Sequence, residues 1–190
     1  RTCLVGSEMC IRDSSRAAQK ENMKVTIVSS DKDLMQLVSD NVSMLDTMKN
    51  KIVQKEEVYE KFGVYPEKVI DVQSLAGDSV DNIPGVPGIG IKTAALLINE
   101  YGNLDGLFKN SEKIKQKKRR ENIIEFEEQA YLSKKLVTLR DDVPLPIPIQ
   151  ETTLKDIDAN KLISFLKEME FRTLTDCLLY TSPSPRDKSS

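Results

Sequence analysis

Residues Leu75 to Ala94 read LAGDSVDNIPGVPGIGIKTA. Asp78 and Asp81 in GDSVDN stand three positions apart, so on a helical turn their carboxylates share a face. Ile83 to Thr93 then interleaves Gly85, Gly88 and Gly90 with Pro84 and Pro87, the composition of a tight hairpin that opens into a helix. Glycine lets the backbone approach a phosphate closely, and the free N–H groups of a helix's first turn can hold an anion. Lys92 and Thr93 in that turn add a charge and a hydroxyl. A site of this kind grips backbone rather than bases, so it suits DNA without sequence preference. The spacing is neither GxxxxGK[ST] nor GxGxxG after a strand. A solvated acidic turn followed by an interhelical connection is the simpler alternative.

Working outward towards the N-terminus, Val25 to Ser29 (VTIVS) reads as a buried parallel strand. Ser30 precedes DKDLMQLV, where Leu34, Leu37 and Val38 have helical spacing. Asp31 and Asp33 therefore sit between a strand's carboxyl end, where open α/β sheets bind ligands, and a helix. Carboxylates at i and i+2 on extended backbone point to one side, and a divalent cation relieves their repulsion. The competing role is to cap the helix. Short strands are expected at Val42 to Asp46 and Lys51 to Val53 around a Lys49-Asn50 turn, then helices at Glu56 to Phe62 and Pro66 to Gly77.

Towards the C-terminus, helices are expected at Lys92 to Tyr101, after an Asn103 cap, and as one long helix from Arg120 to Leu136. Pro144, Pro146 and Pro148 interrupt regular structure before a last helix at Lys161 to Phe171. KIKQKKRR, Lys113 to Arg120, is either a solvated face or a helical side on which Lys113, Lys117 and Arg120 reach phosphates. No aromatic residue interrupts it, so base stacking is not indicated there. The order is a small α/β part, with few strands for a parallel sheet, followed by a mostly helical part.

The two ends are related to each other. One permitted back-translation of Cys177 to Asp187 (CLLYTSPSPRD) has a reverse complement that, in another frame, encodes LVGSEMCIRD, which is Leu4 to Asp13. Such a pair resembles a translated sequencing adapter flanking a gene fragment, so residues 1–13 and 177–190 are set aside as non-native tails. All three cysteines fall in those tails, and the chain has no histidine. Disulfides, thiol nucleophiles, zinc clusters and Ser-His-Asp arrangements are thereby excluded from the body. A cysteine-free body suits a reducing cytoplasm, and no apolar run is long enough to span a bilayer. The net charge of −2 does not announce a nucleic-acid binder, but acidic residues gather at 78–81 and 141–142 while Lys113 to Arg120 is strongly basic.

Taken together, SSDKDLMQL, LAGDSVDNIPGVPGIGIKTA and the downstream RDDVPL resemble the 5′-nuclease domain of bacterial DNA polymerase I, in the flap endonuclease superfamily, across about Val25 to Phe171. The resemblance implies an α/β fold: the C-terminal part of a PIN-like (Rossmann-like) nuclease core at 14–76, a helix–three-turn–helix DNA-binding region at 77–148, and a C-terminal helix at 149–176 that packs back. It implies that Asp31, Asp33, Asp78 and Asp81 belong to a cluster holding two Mg2+ or Mn2+ ions. It also implies that Gly85, Val86, Gly88, Ile89, Gly90, Lys92 and Thr93 grip duplex DNA, with a monovalent cation such as K+ at the hairpin. Ile91 stands where relatives often carry Glu.

The family's mechanism has two metals clamping the scissile phosphate, activating water and stabilising the leaving oxygen. The expected function is 5′-3′ exonuclease and flap endonuclease action on DNA in replication and repair, by a monomer with a polymerase domain in cis. The family's first half, with its earlier carboxylates, has no counterpart here, so the chain as given is expected to be inactive. A non-catalytic, sequence-independent DNA-binding module and a PIN-type ribonuclease are the rival readings.

Overall fold

The computed structural model describes residues 7–139, 147–154 and 156–181. RDDVPL, with Asp141, Asp142 and Pro144, lies outside the described residues, as do Pro146 and residues 1–6 and 182–190 of the tails. The chain divides into two compact units, before and after the Ile149–Gln150 bond.

In the first unit, helix α1 (Ser7–Lys20) leads to strand β1 (Val25–Val28), β2 (Val42–Asp46), β3 (Lys51–Val53) and helix α2 (Lys55–Phe62). β1 and β2 are parallel with Ile27 opposite Met44, and β2 and β3 are antiparallel with Leu45 opposite Ile52. Asp46 Oδ1 accepts the N–H groups of Met48 and Lys49, which fixes the turn into β3. The parallel strand expected at Val25 is present, but only Ile27 on it is buried and Val28 is 64% exposed. Among the described residues β1 lies at the sheet's edge and one face of it is covered, so its side chains alternate.

DKDLMQLV forms only a 3₁₀ turn, Asp33–Leu37. α2 begins with a capping box between Gln54 and Glu57 and stops at Gly63, whose φ of 73° suits glycine. A 3₁₀ turn at Pro66–Lys68 introduces α3 (Val69–Ala76), which is buried along most of its length and packs between its neighbours α4 (Ile91–Tyr101) and α7 (Glu127–Val137). α5 (Leu104–Lys109) carries the Asn103 cap, whose Oδ1 accepts the Gly106 N–H at 2.7 Å. One core runs through both halves of this unit, from Ile27, Met44 and Phe62 to Leu75, Ile98, Leu107 and Ile123.

The single helix expected over Arg120 to Leu136 is two, α6 (Lys117–Glu125) and α7, with Phe126 out of helical geometry between them. Buried Ile123 and Ala130 are seven positions apart, about two turns, so the apolar period passes through the break unchanged. Lys113 lies in a separate 3₁₀ turn, not on one helical side with Lys117 and Arg120.

In the second unit, α8 (Ala159–Glu168) is capped by Asp158 and ends before Glu170, which has φ 58°. The helix expected to run to Phe171 therefore stops short, and α9 (Arg172–Thr181) follows and packs on α8. α1 and α9 continue through 7–13 and 177–181, because extending a nucleated helix costs far less than starting one. No helix among the described residues is long and apolar enough to cross a membrane.

Candidate functional site

The segment after β1 separates the two roles open to its aspartates. Ser29 Oγ accepts the Asp31 N–H at 3.1 Å, and Asp31 Oδ1 accepts the Asp33 N–H at 3.0 Å. Asp31 thus stabilises the turn in the manner of an Asx cap. Asp33 turns its carboxylate towards the other acidic pair. Its main-chain oxygen accepts from Gln36 Nε2, which also reaches the Val137 carbonyl at the end of α7.

Asp78 and Asp81 lie in a turn rather than on a helix. Gly77, at φ 70°, ends α3, and paired bonds between Asp78 and Ile83 (2.8 and 2.7 Å) close the loop. Asp78 Oδ1 accepts the Val80 N–H at 3.0 Å, and Asn82 takes φ 60°. The closed loop still brings the two carboxylates to one side. One oxygen from each of Asp33, Asp78 and Asp81 falls within 4.8 Å of the others, with Asp78 buried, Asp33 half-buried and Asp81 exposed. Asp31 stands outside that group of three.

Burial holds the Asp33 carboxyl above its ordinary range, and Asp31 and Asp81 push the same way, against a hydrogen bond from Gln73. The Lys32 ammonium donates to Asp78 Oδ2 and holds that carboxyl below its ordinary range, while the Lys32 pKa rises in turn. The cluster is therefore three oxygen donors in a semi-buried place, with mutual repulsion only partly offset by one lysine. An all-oxygen set of this kind fits a hard divalent cation.

The hairpin follows directly. Gly85 (φ 59°) and Gly88 (φ 77°) supply its left-handed turns. A Cβ on Gly85 would lie 2.7 Å from the Ala76 carbonyl carbon, closer than real side chains come. Gly85, Val86 and Ile89 are buried, and their N–H groups bond to Ser133 Oγ, the Leu75 carbonyl and the Val86 carbonyl. Gly88 and Gly90 are exposed, and among the described residues their N–H groups have no acceptor. Lys92 is exposed and Thr93 half-buried in the first turn of α4, where N–H groups are left free. Of the seven hairpin residues named from the sequence, Gly85, Val86 and Ile89 anchor the loop, Gly88, Gly90 and Lys92 are exposed, and Thr93 is half-buried.

Sequence reasoning did not find Lys32, Gln36, Gln73, Asn122, Gln129 or Ser133. Lys32 was visible between two aspartates. The glutamines gave no local signal, since each acts on a residue far along the chain.

Comparison with known proteins identifies the architecture. The model "5′-3′ exonuclease, N-terminal resolvase-like domain" matches residues 10–63, and "5′-3′ exonuclease, C-terminal SAM fold" matches 64–160. The chain belongs to the 5′-3′ exonuclease family. Within it, the α/β part is the resolvase-like domain and the helical part the SAM fold. The chain is 56% identical to the DNA polymerase I of Rhizobium leguminosarum over 85% of its own length and 16% of that protein's. It is 39% identical to a 5′-3′ exonuclease of Buchnera aphidicola over 80% of its own length and 55% of that protein's.

Among solved structures, a bacteriophage T5 flap endonuclease complex with DNA and metal ions superposes with TM-score 0.65 at 25% identity, covering 70% of this chain and 49% of that one. A zinc-bound T5 5′-exonuclease aligns equally well, at 26% identity over 69% of this chain and 49% of the other. The chain spans about half the length of the exonuclease relative, and far less of the polymerase.

Proposed function

We propose that this chain is the metal-proximal and DNA-gripping part of a 5′-3′ exonuclease and flap endonuclease that hydrolyses DNA phosphodiesters at 5′ ends and flaps, in a protein of the DNA polymerase I type. The observation that carries the reading is continuity. One short segment, 77–90, holds both Asp78 and Asp81 of the carboxylate cluster and the outward-facing N–H groups of Gly88 and Gly90. A strand held at the hairpin would lie beside the carboxylates without any intervening element.

Asp33, Asp78 and Asp81 would hold a divalent cation, Mg2+ or Mn2+, with Asp31 adding negative charge from one step away. The complete protein's remaining carboxylates would bring a second cation. When bound, the cations supply Lewis-acid stabilisation of the phosphate and a lowered pKa for an attacking water. The residues of this chain do the positioning. Gly88, Gly90 and the first turn of α4 offer N–H donors to a phosphate, and Lys92 adds a charge. These contacts touch no base, so binding is independent of sequence. A K+ ion at hairpin carbonyls, a monomeric state, a polymerase domain in cis and a cytoplasmic setting complete the proposal.

The test is Asp78→Asn in the complete protein. Cleavage should fall by at least about a hundredfold while duplex affinity holds, as expected when a group acting on the reacting phosphate is lost. Unchanged cleavage would remove the metal assignment. A DNA affinity that fell as steeply as the cleavage rate would point to a structural role.

A further inference from the structure

A glycine-rich loop loses much conformational freedom on ordering, so a hairpin with three glycines binds a ligand weakly unless something fixes it beforehand. In this chain, besides the Ile89 N–H to Val86 carbonyl bond within the hairpin, fixing groups come from outside it. Gln129 Nε2, on α7, donates to the Gly85 carbonyl at 2.6 Å. The Gly85 N–H donates to Ser133 Oγ at 3.1 Å, and that fully buried hydroxyl donates to the Gln129 carbonyl at 2.9 Å. Asn122 Nδ2, on α6, donates to the Pro87 carbonyl at 2.8 Å.

We infer that α6 and α7 form a clamp that presets the glycine hairpin for a phosphodiester backbone, with Asn122, Gln129 and Ser133 as positioning residues. The inference rests on the reading of the hairpin as a phosphate-binding element. The clamp takes both polar groups of Gly85 and the carbonyl of Pro87, and leaves the Gly88 and Gly90 N–H groups free. Groups that hold the loop and groups that meet the ligand are therefore distinct. The break at Phe126 belongs to the same device, because it joins the two helices that reach the hairpin from separate positions. Lys134, one position beyond Ser133, pairs with buried Asp71 at 2.8 Å and ties α7 to α3, which runs directly into the hairpin segment.

The experiment is fluorescence anisotropy of the full chain with a short labelled DNA duplex over a range of salt. Gln129→Met and Asn122→Leu remove donors while keeping size and neutral charge. Each should weaken binding roughly three- to tenfold, the effect of one lost hydrogen bond. The slope of log affinity against log salt should stay as in the wild type, because neither side chain neutralises a phosphate. Lys92→Gln serves as the contrast and should make the slope shallower by about one.

Wild-type affinity in both clamp variants, with Lys92→Gln behaving as described, would overturn the clamp and leave the hairpin reading intact. Weaker binding with a shallower slope in the clamp variants would mean general disruption, and would also overturn it. No salt-dependent binding by the wild type would overturn the hairpin reading and the clamp together. Should Gln129→Met fail to fold, Asn122→Leu, at a half-buried position, decides the matter alone.

Discussion

Gln73, on buried α3, donates through Nε2 to Asp33 Oδ1 at 2.6 Å, joining residues 40 positions apart. Its other amide atom, Oε1, is buried and has no partner among the described residues. The bond lowers the cost of keeping Asp33 ionised in a semi-buried place, against desolvation and the fields of Asp31 and Asp81. Replacing Gln73 by Leu should leave that charge less supported. Divalent-metal affinity, read by calorimetry with Mn2+, should fall roughly tenfold or more, as for the loss of one hydrogen bond to a charged group. Equal affinity in Gln73→Leu would show that the bond does not hold the carboxylate for a cation.

Asp33 should also be a stability liability when no metal is present. Its folded pKa is raised above the ordinary 3.8, so the folded state binds a proton more readily than the unfolded chain. The penalty is fully present above the folded pKa and disappears as pH falls towards 3.8. Asp33→Asn should accordingly raise the Tm of the metal-free chain at neutral pH by roughly 1–3 °C, solvent screening included. It should abolish stabilisation by Mn2+. A lower Tm in calorimetry would contradict the account.

Lys32 and Asp78 have the opposite sign. Asp78 is depressed below 3.8 by the Lys32 ammonium, so its contribution is present above 3.8 and is lost as pH falls through the lower folded value. The same ammonium competes with, and repels, a cation at that carboxylate. Lys32→Met should reduce the acid-side loss of stability, the Val80 N–H bond to Asp78 remaining, and tighten Mn2+ binding at low salt by roughly two- to fivefold. Weaker Mn2+ binding in this variant would be incompatible with the proposed site.

Two glycines of the hairpin should respond differently to alanine. At Gly85 a Cβ would meet the backbone of Ala76 and Gly77 at positive φ, so Gly85→Ala should cost more than about 3 kcal/mol. At Gly90 a Cβ meets nothing within 4 Å and φ is negative, so stability should change by less than about 0.5 kcal/mol. On the proposed reading, a methyl group there would meet an approaching phosphate. Gly90→Ala should weaken duplex binding without lowering the Tm, and urea melts with anisotropy would check both halves.

Tyr131 donates its hydroxyl to Asp105 at 2.6 Å, and that bond, followed by desolvation, raises the phenol to about 12. The raised value means a stabilising contribution that is present below pH 10 and lost as pH climbs through about 12. Ultraviolet titration should show one tyrosine ionising near 12, absent in Tyr131→Phe. All tyrosines titrating near 10 would contradict the bond.

Much of this could be read from residue order. The glycine hairpin and the helix beginning near Lys92 depend on local chemistry and formed where the sequence placed them, whereas Asp78 and Asp81 share a side from a closed loop and not from the helical turn expected. Asp31 and Asp33 looked equivalent in sequence. Which one caps and which one converges is decided by Ser29 and by Gln73 on a distant helix. The break at Phe126 was hidden because it preserves the apolar period. The clamp was hidden because Asn122, Gln129 and Ser133 are ordinary polar residues until the fold brings them to a carbonyl or an N–H 35 to 48 positions away.

The most direct test of a cation held beside a DNA-gripping hairpin is paramagnetic broadening of the chain's amide resonances by substoichiometric Mn2+. The signals of Asp33, Asp78 and Asp81 should vanish first, those of the hairpin next, and Mg2+ in excess should restore them. Broadening spread evenly over the acidic surface, or concentrated away from these three aspartates, would contradict the account.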